Sequence, residues 1–414
     1  MRRYWVYTTK WLLAQTECLV TATGHDYDYM ATPGVRDTAT FVLQVYQTPS
    51  SVDFNYGDAK EAPTDIEVAS ILLGLAARFP EQAPAAAYAA RAAMSTPNVT
   101  ADGGWDVIAL SLMRWDPRPV GHSSLAALPR AAFFEGHGVG VVRSGWGPTA
   151  SFLGAKGGDS STTHQDLDHG SFVWETRGYR WAVDLGIENY GLPGMFLPFS
   201  GRYQYYRKST RGHNTLVFRD PGGFDPAQAE QSDHAVNIFS ELTPGAACKP
   251  GAARHRPGCG PGEVMTINLT NAWAPQLPSG LPDPASPASA RKSVTRSFHV
   301  NANMTELVVV DSISNNCERD NMTWGIHTRA AVLVSGATAV LAAPPSPSGV
   351  RRRVVLVAVS KPPGLCGGWQ WAPVVLPGGT LPNNTRFPLS GAQKVWLVCH
   401  SAVSELRVAL RDEG

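Results

Sequence analysis

The chain has 414 residues, with 35 Lys and Arg against 34 Asp and Glu and 43% apolar residues, so it can bury large cores and form more than one domain. Near-zero net charge offers no basic face or arm with which to grip nucleic acid, and no apolar run reaches the roughly 18 residues that a membrane-crossing helix needs. The 40 Gly and 32 Pro exclude an all-helical protein.

The opening segment, MRRYWVYTTKWLLAQTECLV, is broken by Thr, Lys, Gln and Glu, unlike the uninterrupted apolar stretch of a signal peptide. It reads as an amphipathic helix with Trp5, Leu12, Leu13 and Leu19 on one stripe and Gly24 as its stop. Further helical patterns cover Thr38 to Tyr46, Ile66 to Phe79, Ala85 to Ala93 and Trp105 to Trp115. Short polar connectors separate them, which predicts hairpins or an array of helices.

From about Ala126 the texture changes. HGVGVVRSGW, SFVWETRGYRWAVDLG, HNTLVF, ELVVVDSIS, RRVVLVAVS and KVWLVCH alternate or run apolar over strand lengths between Gly, Pro, Asn and Asp. No helical pattern interrupts them, so antiparallel sheets packed as a sandwich are expected. Trp174 and Trp181 fall in its core. Leu277 to Pro287 and Ala342 to Val350 read as long loops. The fold class is therefore α+β and multidomain, with a helical domain over 1–120 and an antiparallel β-sandwich over 121–414.

Asn98, Asn268, Asn303, Asn321 and Asn383 each open an Asn-x-Ser/Thr sequon, which predicts passage through a secretory pathway and a secreted glycoprotein. Of the six Cys, Cys248 and Cys259 flank a Gly/Pro-rich loop and are the expected local pair, although six cysteines allow fifteen connectivities.

The densest polar cluster is Thr163-His164-Gln165-Asp166-Leu167-Asp168-His169-Gly170. In an extended segment the side chains of His164, Asp166 and Asp168 would share one face. Asp184 and His213 follow at the ends of apolar stretches. With Asp166 they could form a metal site of mixed oxygen and nitrogen ligands on neighbouring antiparallel strands. Arg202, Arg207, Lys208 and Arg211 could bind carboxylates or sulfates, or form a solvated strand edge. Arg207, inside YYR, is the candidate substrate contact among them.

Two family resemblances attach to these residues. The string H-x-D-x-D-H resembles the H-x-H-x-D-H signature of metallo-β-lactamase-like hydrolases, which implies a metal-dependent hydrolase using His164, Asp166, Asp168 and His169. That signature leads from a strand into a helix, whereas here a hairpin pattern follows. The broader resemblance runs from Phe134 to Phe218: FEGHGVGVVRSGW, FLGAKGG, THQDLDHGSFVWETRGYRWAVDLGIENYGLPGMF and GRYQYYRKSTRGHNTLVF. These resemble, in order, the H-x-[HD]-L-D-x-G-S-F, D-L-G, Y-Y-R and G-H-N-T motifs of the heparinase II/III-like polysaccharide lyases. YWVY and FNYGDA are similar to the end of that family's α/α toroid.

The second resemblance implies a partial α/α toroid followed by a β-sandwich, and β-elimination on uronic acids of an acidic polysaccharide such as a heparan-sulfate-like or alginate-like polymer. It casts Tyr4 as the acid and base, with Tyr7 as alternative or substrate contact, and His164 as partner base or charge stabiliser. It implies one structural zinc on Asp166, Asp184 and His213, Asp166 standing where many members have His. The family's polar Asn-His pair on an earlier toroid helix has no counterpart here, so the chain is expected to be a fragment of a lyase. The alternative is a catalytically impaired carbohydrate-binding glycoprotein on the same scaffold.

Overall fold

A computed structural model describes residues 2–61, 66–79, 105–114, 125–160, 164–196, 201–219, 239–245, 262–273, 293–314, 321–346, 349–359, 370–374, 392–399 and 404–413. The expected helix at Ala85 to Ala93, the Cys248–Cys259 pair, the loop at 277–287 and the domain boundary at residue 120 lie outside them. The chain forms two compact units: Met1–Asn55 with Ala59–Pro129, and Tyr56–Asp58 with Arg130–Gly414.

The first unit holds four described helices, α1 (Arg2–Thr23), α2 (Thr38–Tyr46), α3 (Ile66–Arg78) and α4 (Trp105–Met113). Helix α1 ends at Gly24, whose φ of +77° stops a helix at no steric cost. Its buried face keeps Leu13 of the expected Trp5, Leu12, Leu13, Leu19 stripe, whose other three residues are only half-buried. Val6, Thr9, Leu13 and Thr16 are the buried residues, at helical spacing. Threonine fits this face because its hydroxyl can return to the preceding turn: Thr16 Oγ1 donates to Leu12 O at 2.8 Å. Helix α3 packs on both α1 and α4. Arg114 ties all three, pairing with Glu17 at 2.7 Å and reaching Ser70 Oγ at 3.2 Å.

Every paired strand of the second unit is antiparallel, as expected of strands with no crossover helices between them. Residues 131–134, 139–143, 152–156, 172–176 and 179–182 form a five-stranded sheet in that order. A nine-stranded sheet runs 331–335, 338–342, 353–358, 405–412, 306–314, 293–300, 262–268, 239–244 and 158–159. Strands 370–374, 393–399, 321–328 and 216–219 form the third. One apolar core joins all three through residues such as Trp174 and Trp181, Phe298 and Leu307, and Trp324 and Leu397. This is the expected α+β sandwich. It lacks the layering that the metallo-hydrolase resemblance requires, because no described parallel strand pair exists to be bridged by a helix.

The strand Ser293–Val300 shows how the sandwich frames its polar interior. Val294, Arg296, Phe298 and Val300 alternate inward, so the pleat carries an arginine into the core. Asp311 on the paired strand receives it at 2.7 and 2.9 Å, and Arg296 Nη1 donates to Gly170 O and Asn214 O at 2.8 and 2.9 Å. The arginine thereby anchors the loops that carry the polar motifs.

Candidate active site

The motif 164–170 is a turn rather than an extended strand. His164 has φ +66°, in the left-handed region. The alternation expected of Asp166 and Asp168 with His164 is broken there: the His164 side chain turns away to Asp58, while Asp166 and Asp168 stay together. Asp166 and Asp168 are fully buried, while the His164 side chain keeps 21% exposure. Gly170 closes the turn at φ +82°, with its Cα against Leu269 and Thr215, where a Cβ would come within 2.9 Å of Leu269 Cδ1.

Beside this turn stand three short 3₁₀ segments, Arg202–Gln204, Tyr206–Lys208 and Thr210–Gly212, which lead into strand Leu216–Arg219. Leu167 N bonds Lys208 O at 3.1 Å, fixing the two loops together. Asn214, of the G-H-N-T motif, links two strands and the residue after a third: its amide donates to Phe172 O and Val183 O at 2.8 and 2.9 Å, and its Oδ1 accepts from His327 N at 2.7 Å. That single side chain explains why a motif of this composition precedes the strand.

His164 Nδ1 lies 2.9 Å from Asp58 Oδ2. Tyr190 donates its hydroxyl to the same oxygen at 2.9 Å and stands 3.2 Å from His164 Nδ1. The other Asp58 oxygen accepts from Arg202 Nη2 at 2.7 Å and lies 2.9 Å from Lys208 Nζ. Burial works against ionising Asp58, but Lys208, the bond from His164 and Arg202 outweigh it, holding its carboxyl far below the ordinary range. Phe196, 61% exposed, meets Tyr190 at 4.9 Å and His164 at 6.1 Å between ring centroids. The imidazole is therefore backed by a buried carboxylate and rimmed by two aromatic rings.

Lys208 is wholly buried, as are the carboxylates it faces. Its ammonium is 3.0 Å from both oxygens of Asp166 and 3.3 and 3.2 Å from Gly57 O and Gly186 O. Arg202 Nη2 also donates to Asp166 at 3.0 Å. These two residues, candidates for a substrate patch on sequence grounds, are internal counter-ions. Arg207 is 5% exposed, donates to Leu185 O and Ile187 O, and lies 3.8 Å from Glu188. It braces the loop leading to Tyr190.

Behind the imidazole, one donor atom from each of Asp166, Asp168 and His213 lies within 4.8 Å of the others, the sole such group among the described residues. His213 Nε2 is 3.8 Å from Asp166 Oδ2, and Nδ1 is 3.5 Å from Asp184 Oδ2. His213 Nε2 and Asp168 Oδ2 have no hydrogen-bond partner, although both are buried. Buried polar atoms left this way suit a cation bound among them. Burial raises the Asp168 carboxyl to about 6 despite the opposing charges of Lys156 and His213. The donor set of two carboxylates and one imidazole is one that zinc accepts. The expected ligand Asp184 stands on the far side of the ring, and it accepts from Gly186 N at 2.7 Å. His169, also buried, falls outside the donor group; burial and then Lys156 push it down to about 3.

In the helical unit, Tyr4 and Tyr7 sit on α1 at 37% and 65% exposure. With Trp11 they follow i, i+3, i+7 spacing and share a face.

No protein-family model matches the sequence, and neither does any curated protein. Solved structures do match. A heparinase III gene product superposes with a TM-score of 0.61 at 13% identity, over 99% of this chain and 50% of its own. The chain has the heparinase III fold. A second heparinase III structure gives a TM-score of 0.62 at 12% identity, over 99% of this chain and 53% of that one. A mutant heparan sulfate lyase HepC from Pedobacter heparinus gives 0.61 at 11%, over 99% and 51%. The chain thus spans about half the length of these three solved structures.

His164, Asp166, Asp184 and His213, conspicuous in the sequence motifs, are brought into one neighbourhood by the heparinase III fold, and Asp58, Tyr190 and Phe196 join them only in the structure. FNYGDA carried the signal for Asp58: an acidic residue inside an aromatic run that belongs to neither a helix nor a strand pattern, all of it buried from Asp53 to Ala59. A buried charge of that kind requires partners.

Proposed function

We propose that the chain is part of a polysaccharide lyase acting on uronic-acid-containing glycans of the heparan sulfate type by β-elimination. The observation that carries this reading is the Asp58–His164 pair at 2.9 Å, set on the heparinase III fold at a partly exposed rim. Such a reaction needs a base for the proton at C5 of the uronate. The released electron pair forms the C4–C5 double bond, the C4–O bond breaks, and the leaving oxygen takes up a proton. His164 is the base in this reading and Tyr4 the proton donor. Tyr7 is a substrate contact, and Phe196 offers a ring face to a sugar.

One zinc ion, held by Asp166, Asp168 and His213, belongs to the same proposal. It would neutralise the clustered carboxylates and hold the 164–170 turn in place. Asp184 would accept from the far nitrogen of His213 and orient the ring, as carboxylates behind ligating histidines do. Secretion is also proposed: Asn268 and Asn303 are exposed, as glycan acceptors must be.

The test is incubation with heparan sulfate, with alginate as comparison, followed by the ultraviolet absorbance of the unsaturated uronide. The expected result is product from heparan sulfate and its loss in His164→Ala. Binding of heparan sulfate without any product would support the carbohydrate-binding alternative instead, and activity surviving in His164→Ala would remove His164 from its role.

A further inference from the structure

Both oxygens of Asp58 are saturated by donors of two different kinds. Oδ1 faces two basic side chains, Arg202 Nη2 at 2.7 Å and Lys208 Nζ at 2.9 Å. Oδ2 faces His164 Nδ1 and the Tyr190 hydroxyl, each at 2.9 Å. An ionised carboxylate only accepts, so His164 Nδ1 must carry a proton. In the neutral ring the lone pair then belongs to Nε2, the atom a base needs.

The backbone enforces the same arrangement. Gly57 packs so closely on the His164 turn that a Cβ there would stand 3.0 Å from His164 O, and His164 itself is held at φ +66°. A histidine kept in that region by its surroundings is a site where conformation has been specified rather than left to local preference.

We propose that Asp58 is the positioning residue of the base, holding His164 in the Nδ1–H tautomer, and that Lys208 and Arg202 set the direction of that hold. This rests on the lyase reading for its kinetic consequence but not for its tautomeric one. The two cations make the proposal sharp. In Asp58→Asn the side chain has one acceptor and one donor end. The acceptor end must turn toward Arg202 and Lys208, because an NH2 group cannot face two cations. The amide NH2 is then aimed at His164 Nδ1, which must accept. The proton moves to Nε2 and the base is lost, the same polarity reversal that disables the equivalent Asp→Asn change in serine proteases.

The experiment is nitrogen-detected NMR of the His164 ring at neutral pH in the wild type, Asp58→Asn and Tyr190→Phe, together with kcat and KM on heparan sulfate oligosaccharides. The wild type is expected to show the Nδ1–H tautomer. Asp58→Asn is expected to show Nε2–H, with kcat lowered on the order of 10^2- to 10^4-fold and KM nearly constant. Tyr190→Phe removes one of two donors to Oδ2, and is expected to keep the Nδ1–H tautomer with a smaller loss of kcat. A wild-type ring protonated at Nε2 overturns the proposal without any variant having to fold. So does a folded Asp58→Asn that keeps Nδ1–H or loses less than about tenfold in kcat. If no product forms from any glycan, the lyase reading fails while the tautomers still decide the role of Asp58.

Discussion

Asp58 and His164 are 106 residues apart in the chain and 2.9 Å apart in the fold, and the residue that permits this approach is Gly57. Its φ is +66° and its Cα lies against the His164 carbonyl, a backbone atom with no side-chain freedom to yield. Gly57→Ala should therefore cost roughly 1–3 kcal/mol of stability and lower kcat. Gly34→Ala is the control, since Gly34 has φ +85° but nothing within 4 Å; it should cost about 1 kcal/mol and leave kcat alone. Urea midpoints and steady-state kinetics check both.

Arg296 is the larger structural commitment. It is fully buried, pairs bidentately with Asp311, and donates to the carbonyls of Gly170 and Asn214. Arg296→Ala should destabilise by about 3–5 kcal/mol, because it strands a buried carboxylate. Arg296→Met combined with Asp311→Leu should recover part of that loss. Recovery would be incomplete, because two carbonyls still lose their donor. Chemical denaturation of the three variants decides it.

Two buried histidines contribute to the loss of stability at acid pH. His169 is pushed down to about 3, first by burial and then by Lys156, and His327 lies well below its ordinary 6.5, first through burial and then through Lys394 and His213. Both fold as neutral rings, so their contribution is fully present above about pH 6.5 and is lost as pH falls below it, when the unfolded chain binds protons that the folded one refuses. The slope should approach ~1.4 kcal/mol per pH unit for each histidine. His327 is held by Asn214 Oδ1 and Tyr206 Oη at 3.0 Å each; His327→Gln should flatten the curve between pH 6.5 and 5 in proportion. Unfolding free energies measured across that interval test the sign.

Metal analysis of the purified protein should find one zinc per chain. His213→Ala should abolish it, since it removes the imidazole from the donor group of Asp166, Asp168 and His213. Asp184→Asn should retain zinc but with about 10- to 100-fold weaker affinity, the usual effect of removing a partner behind a ligating histidine. Competition with a chelator reads the difference, and a metal-free wild type grown with zinc would reject the site.

Much of the architecture follows from local pattern. Helix α2 spans Thr38–Tyr46 as its periodicity predicts, and the alternation of Ser293–Val300 appears residue by residue as burial. Trp174 and Trp181 are core. The order of the polar motifs likewise leads to the heparinase III fold, because short-range spacing of Gly, Asp, His and Asn encodes turns and strand ends directly. Local pattern fails where the backbone leaves regular geometry. Alternation placed His164 with Asp166 and Asp168, but φ +66° at His164 turns it toward Asp58 instead. On α1, Thr9 and Thr16 join Leu13 on the buried face, the Thr16 hydroxyl being returned to the helix backbone.

The residue types available for chemistry, and the strands and turns on which they lie, follow from local order along the chain. Which charges are buried together depends on segments that meet only in the fold. Lys208 and Arg202 read equally well as surface cations until Asp58 and Asp166 are seen around them, each drawn from a different segment. A charge can leave water only when distant partners replace its hydration, and nothing in the residues adjacent to it specifies those partners.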